Sequence, residues 1–276
     1  RYKCEYKNPS IISQGLSNDD VFVKTSNGLY VSGKEILNLS CILKTQLKQI
    51  QCGHKHALFL TENGNVYGSG ENIKGQLTKK YIGTGDLNRI QRIIKTNNIR
   101  DIGCCAYSSY IVNTNDKLIS FGNNISGQLG INDKSIKHSK SLKLAMNGYN
   151  IDKFSCGYAH IGCITTNNDI YMCGYNYYYY SCGLNINQCC HSPNKIELYT
   201  NEHIISIKCG GYHTILKTSL NNFYSFGKNN NKQLLIDSID YNISKPKLIS
   251  KDYLNGITQP NGIIIDILPT YHNTYI

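Results

Sequence analysis

The sequence predicts an all-β propeller built from a repeat of about 52 residues. Three observations predict it. A Cys-Gly pair or its variant recurs at Cys52-Gly53, Cys104-Cys105, Cys156-Gly157 and Cys209-Gly210, in steps of 52, 52 and 53 residues. Seventeen residues beyond the second member of each pair stands another glycine: Gly70, Gly122, Gly174 and Gly227. Between the two marks, an apolar run, a short Asn-rich turn and a second apolar run read as a β-hairpin. A fixed period of this length marks a repeat architecture. Four short strands per period is the layout of a propeller blade, and no copy carries the 3.6-residue apolar stripe of a helical solenoid.

Taken in order, the first hairpin is Val21-Phe22-Val23 with Leu29-Tyr30-Val31 around Asn27-Gly28. It lacks the turn histidine and has a shortened linker. The second copy is the clearest. Ala57 to Thr61 is apolar on both faces, as in a strand covered on both sides. Asn63-Gly64 follows, a strong hairpin signal because both residues tolerate positive φ, and Val66 to Ser69 returns. The next three copies turn at Asn115-Asp116, Asn167-Asn168 and Asn221-Asn222. After each hairpin comes Gly75-Gln76-Leu77, Gly127-Gln128-Leu129-Gly130 or the degenerate Lys232-Gln233-Leu234. In the fourth copy a Tyr-rich segment, Tyr175 and Tyr177 to Tyr180, stands in its place. Linkers of 20 to 30 residues then leave room for two more strands. Ile265 to His272 reads as the start of another copy.

Hydrophobic residues make up 40% of the chain, enough for a packed core. The 22 tyrosines, like the abundant Asn, Ile and Lys, recur even in linkers and read as coding bias. No apolar stretch approaches the roughly 20 residues of a membrane helix. Of the twelve cysteines, Cys52, Cys104, Cys156 and Cys209 share one repeat position, where a small apolar residue packs. That placement predicts reduced, structural thiols and an intracellular compartment, cytoplasmic or nuclear.

The period, the Gly-x-x-His turns, the Asn-Gly hairpin and Gly-Gln-Leu-Gly together resemble the regulator of chromosome condensation repeat family, over about Val21 to Ile276. The resemblance implies a β-propeller, normally of seven blades. About five repeats and a partial one are present here, so a single propeller domain over residues 1–276 is expected to be truncated at one or both ends, or to close unusually. Members of the family include a nucleotide exchange factor for the nuclear-transport GTPase that docks on chromatin, ubiquitin-ligase modules, scaffolds and photoreceptors. Fold alone does not choose among them.

In the exchange factor, polar residues of the Gly-x-x-His turns contact the GTPase. The matching positions here are His54, Lys55, Tyr107, Tyr158, Gly211 and Tyr212, which makes them the candidate partner contacts. None is acidic. His56, His160 and His213 are expected to be structural and to bond neighbouring backbone. Gly53, Gly157, Gly210, Gly70, Gly122, Gly174 and Gly227 are read as turn and close-packing positions. They form no phosphate cradle, since no Gly-rich loop opens a helix. Cys182, Cys189, Cys190 and His191 lack zinc-site spacing, so no metal or other cofactor is expected. Nothing marks a nucleophile or a carboxylate pair.

The formal net charge is +11, with the excess in linkers: Lys79 to Arg100, then Lys134, Lys137, Lys140 and Lys143, then Lys245 to Lys251. Such a field attracts acidic partners. The leading expectation is therefore a non-catalytic protein-interaction or regulatory module. The alternatives are guanine nucleotide exchange on a small Ran-like GTPase and a basic chromatin or nucleic-acid docking surface, whose binding would be phosphate-driven and salt-sensitive.

Overall fold

A computed structural model describes residues 11–14, 21–24, 29–31, 34–35, 47–79, 89–198, 200–257, 267–270 and 273–275. The described residues form five four-stranded antiparallel sheets, each a simple meander, and one two-stranded sheet. The chain divides into two compact units.

The first unit comprises residues 1–123 and 136–145. Its first sheet runs β1 (Ile11–Gln14), β2 (Val21–Lys24), β3 (Leu29–Val31) and β4 (Lys34–Glu35). The hairpin expected there forms, with Phe22 opposite Val31. Its second sheet is β5 (Leu47–Cys52), β6 (His56–Thr61), β7 (Val66–Gly70) and β8 (Gln91–Ile94). Its third is β9 (Ile99–Cys104), β10 (Ser108–Asn113), β11 (Leu118–Asn123) and β12 (His138–Leu144). Strand β6 is buried along its whole length, which is why both its faces are apolar. Leu58, Leu60 and Ile93 of the second sheet pack against Ile99, Ile102 and Phe121 of the third in one core.

The second unit comprises residues 124–135 and 146–276. Its sheets are β13 (Ile151–Cys156), β14 (His160–Thr165), β15 (Ile170–Gly174) and β16 (Cys190–Ile196), then β17 (Ile204–Cys209), β18 (His213–Thr218), β19 (Phe223–Lys228) and β20 (Asn242–Leu248). A single short helix, α1 (Lys251–Ile257), follows among the described residues. The pair β21 (Leu268–Pro269) and β22 (Thr274–Tyr275) lies where the partial copy is expected; Ile265, Asp266, Tyr271 and His272 of that copy fall outside the described residues.

Register explains the repeat marks. His56, Ser108, His160 and His213 each open the second strand of a sheet and pair with Gly70, Gly122, Gly174 and Gly227 at the end of the third. That second glycine has φ between 100° and 110° in all four sheets, a conformation L side chains rarely adopt. It turns the following N–H back onto the turn: Asn123 donates to the Tyr107 carbonyl at 2.8 Å, and Tyr175 to the Ala159 carbonyl at 2.7 Å.

The candidate site: repeat turns and a tyrosine loop

Each turn is closed by one backbone bond, from Gly53, Cys105, Gly157 or Gly210 N–H to the carbonyl three residues on, at 2.8 to 2.9 Å. In the His-bearing turns the imidazole folds back over the glycine. A Cβ on Gly157 would lie 2.1 Å from His160 Cε1 and 2.6 Å from the Gly210 carbonyl oxygen. Gly53 and Gly210 are blocked in the same way by His56 and His213. The glycine is thus the floor on which the histidine lies.

The other side of the ring carries a link between sheets. His56 Nε2 lies 3.0 Å from Ser109 Oγ, His160 Nε2 3.1 Å from Thr214 Oγ1, and His213 Nε2 3.1 Å from Thr274 Oγ1. Each hydroxyl donates its proton onward, to the carbonyls of Gln76, Ser181 and Gln233 respectively. Having given its proton, the hydroxyl can only accept from the imidazole, so each ring is the neutral Nε2–H tautomer. Burial holds His56 and His160 neutral down to about 3, with neighbouring His54 and His213 adding to the effect. Burial, with Lys228 nearby, lowers His213 to about 4. Each imidazole thus meets a side-chain hydroxyl of the next sheet, and His160 also bonds the His213 backbone.

The hydroxyls Ser109, Thr214 and Thr274 were not singled out from the sequence, although a signal exists. Each follows the turn position of the copy after a histidine. After the histidine-free first copy that position is Ala57, and after the Ser108 copy it is Ile161. A second missed set is Asn72, Asn124, Asn176 and Asn229. Each side-chain oxygen accepts the N–H of the Leu or Cys at the end of the loop, at 2.8 to 3.2 Å. This asparagine fixes the Gly-Gln-Leu loop.

The candidate contacts fall in two groups. In the first unit, the His54 ring meets Tyr107 edge-on with centroids 5.4 Å apart, and Lys55 pairs with Glu71 at 3.4 Å at the surface. In the second, Tyr158 packs on Tyr212 at 5.5 Å. Gly211 is buried, its N–H donating to Thr270 and its carbonyl accepting from Tyr158. Of the basic linker residues, Lys137, Lys140 and Lys143 belong to the first unit, whereas Lys134 belongs to the second.

The Tyr-rich segment enlarges the second group. Asn176 still anchors the loop, but the loop is one residue longer than its counterparts and ends in Ser181-Cys182 instead of Gln-Leu. Tyr179 lies 4.8 Å from Tyr212 and 5.1 Å from Tyr178, while Tyr175 lies 5.6 Å from Tyr212. Lys228 Nζ sits 4.9 Å from the Tyr179 centroid, within cation–π range. Tyr177 and Tyr178 are 52% and 61% exposed. Tyr178 and Tyr180 hold left-handed φ of 69° and 55°, Tyr180 at the place taken by Gly75, Gly127 and Lys232 in other copies. Cys182 and Cys190 are buried in the core beneath, with Cys209.

Sheets of this kind, stacked as four-stranded meanders with glycine turns, define a β-propeller repeat protein. The comparisons specify which. A profile of the regulator of chromosome condensation (RCC1) repeat matches residues 47–76 and 204–233, and a second profile of that repeat matches 167–216. These segments are RCC1-type repeats, and the likeness to solved propellers supports a β-propeller built from them. It is 28% identical over 221 residues to the ultraviolet-B receptor UVR8 of Arabidopsis thaliana, covering 76% of this chain and 48% of the receptor. It is 28% identical over 205 residues to the human probable E3 ubiquitin-protein ligase HERC4, covering 71% of this chain and 19% of the ligase. The chain thus spans half or less of the length of these curated relatives. Among solved structures, human WBSCR16 matches with a TM-score of 0.77 at 18% identity, over 94% of this chain and 71% of that one. Prp20p of Saccharomyces cerevisiae matches at 0.65 and 18%, over 85% and 60%.

Proposed function

We propose that this chain is a non-catalytic protein-interaction module whose recognition surface is the tyrosine loop of the second unit together with Tyr158 and Tyr212. One observation carries the reading. The fourth copy replaces a glycine loop by a longer one that presents Tyr177 and Tyr178 to solvent over a platform of Tyr175, Tyr179 and Tyr212. Tyrosine supplies large contact area at low entropic cost and is enriched at binding hot spots. Two residues kept left-handed without glycine cost about 1 kcal/mol each, an expense that clusters at functional sites.

The test is affinity capture on the full chain, compared with Tyr177→Ser/Tyr178→Ser. Bound proteins should fall several-fold for the variant at equal stability. Equal recovery from both would end this reading.

Guanine nucleotide exchange is the second reading. It draws on the likeness to Prp20p, whose binding to Gsp1p and histones has been described with its structure. The turn positions here supply Lys55, Tyr107, Ala159 and Tyr212 where a polar and acidic set would disturb a bound nucleotide. Release of labelled GDP from a Ran-type GTPase should therefore not be accelerated by this chain; acceleration would put exchange first. A basic docking surface would show as DNA binding that collapses when Lys134, Lys137, Lys140 and Lys143 are neutralised.

A further inference from the structure

Within the first unit, the second and third sheets leave a cleft of about 440 Å³. Its floor is apolar, with Ile94 of β8, Ile99 of β9 and Ile119 of β11. Leu142 of the edge strand β12 forms one wall while remaining 45% exposed. Three lysines, Lys79, Lys95 and Lys140, line the same cleft, and among the described residues no carboxylate lines it. Lys79 and Lys140 are held together through a backbone bond, the Lys79 N–H donating to the Lys140 carbonyl at 3.1 Å. Among the described residues, none of these three ammonium groups forms an ion pair.

The second unit has a cleft at the corresponding place, of about 430 Å³, between its own two sheets. Its floor is also apolar, with Leu184, Ile196 and Tyr224. Its charges are closer to balance: Lys195 and Lys245 line it with Glu197, and Lys195 Nζ is held by Asp169 at 2.8 Å. The cleft between sheets is therefore a property of the repeat, whereas a lining with three lysines and, among the described residues, no carboxylate belongs to the first unit's copy. An apolar floor with cations around it is complementary to an apolar group flanked by anions. The volume is that of an ordinary ligand pocket. Asn98 and Asn113 also line it, with their side-chain oxygens engaged by Thr96 and by the Asn115 and Lys117 N–H groups.

We infer that this cleft binds an extended acidic peptide segment of a partner protein, seating one bulky apolar side chain on the isoleucine floor and flanking carboxylates on Lys79, Lys95 and Lys140. The site is separate from the tyrosine loop and does not depend on that reading. Rim charges set association rate and salt dependence, and the apolar anchor sets residence.

The experiment is fluorescence anisotropy on the full chain, with a dye-labelled peptide carrying one Phe between two Asp-Glu pairs. Saturable binding is expected, weakening as salt rises. Lys79→Ala/Lys95→Ala/Lys140→Ala should weaken it roughly tenfold or more, and exchanging the peptide's Phe for Ser should abolish it. Lys134→Ala/Lys153→Ala, a change of similar charge at exposed lysines that do not line the cleft, should leave it nearly unchanged. So should Tyr177→Ser/Tyr178→Ser, which separates this site from the tyrosine surface. Binding that survives the triple substitution, or that falls equally with the control pair, would overturn the proposal. So would equal binding of a Lys-flanked peptide, or capture by phosphatidylserine vesicles in place of the peptide.

Discussion

The turn that opens the third sheet and the turn that opens the fourth have the same backbone and opposite contents. In the fourth, Gly157 lies under the His160 ring. In the third, Cys105 stands at the glycine position and Ser108 at the histidine position, and both are fully buried. Cys105 Sγ reaches Tyr110 Oη at 3.5 Å, and Ser108 Oγ donates to the Asn123 carbonyl at 2.8 Å. Among the four described turns, a side chain stands at the first position in the one where the ring is missing from the second. Glycine and histidine are therefore one unit, exchanged together for cysteine and serine. Ser108 instead bonds within its own sheet, to the Asn123 carbonyl.

The largest effect that could break this comparison is Gly157→Ala. Its methyl group would meet His160 and the Gly210 carbonyl at once, and the ring cannot yield without losing Thr214. We expect destabilisation at the upper end of overpacking, about 3 kcal/mol, read as a fall in the urea midpoint. Gly157→Cys/His160→Ser should recover the part of that loss due to the ring, while the contact with the Gly210 carbonyl remains. If the double variant is as unstable as the sum of its single changes, the two positions are independent and the pairing is wrong.

His160→Ala comes next. It removes the bond to Thr214 and leaves space over Gly157, with an expected cost of about 2–3 kcal/mol. Ser108→Ala, which loses one hydroxyl bond to a carbonyl, should cost about 1 kcal/mol. Equal losses at the two positions would mean the link between sheets adds nothing.

The same histidines set a pH dependence. In the folded chain His56 and His160 titrate at about 3 and His213 at about 4, below the 6.5 of a free imidazole. Below pH 6.5 the unfolded chain takes up protons that the folded chain refuses. The stability they contribute is whole above pH 6.5 and is lost as pH falls toward their folded values. Each contributes a slope approaching ~1.4 kcal/mol per pH unit within that window. Urea midpoints should fall between pH 6.5 and 5, where few carboxylates titrate. Gly157→Cys/His160→Ser should make the fall shallower by about one proton. A slope unchanged by that substitution would contradict the neutral, buried His160.

Much of this was legible in the sequence because it repeats. The hairpins, the four strands per period and the glycines at Gly70, Gly122, Gly174 and Gly227 follow from spacing alone. The links through Ser109, Thr214 and Thr274 were harder, because each joins residues more than fifty positions apart and only a comparison of adjacent copies exposes it. The asparagines Asn72, Asn124, Asn176 and Asn229 were lost among many others in an Asn-rich chain. The tyrosine loop looked like a failed repeat. In space it retains the Asn176 anchor and brings its rings to Tyr212, more than thirty residues away, which composition cannot reveal.

That loop gives the smallest effect and the sharpest contrast. Tyr180 occupies, at φ 55°, the place held by Gly75 and Gly127 at 86° and 81°. Tyr180→Gly relieves a left-handed side chain at the entropic cost of a freer unfolded chain, so the two terms oppose. The steric relief of about 1 kcal/mol is the larger, and a small net stabilisation is expected in the urea midpoint. Tyr177→Ser/Tyr178→Ser should stay within about 0.5 kcal/mol of the parent, as exposed substitutions do, while reducing partner capture. Stabilisation by glycine at Tyr180 would show a loop held against its own backbone preference. Destabilisation would show that the Tyr180 ring is packed for structure, and the fourth copy's departure from Gly-Gln-Leu would then be a repair of the fold rather than a surface made for recognition.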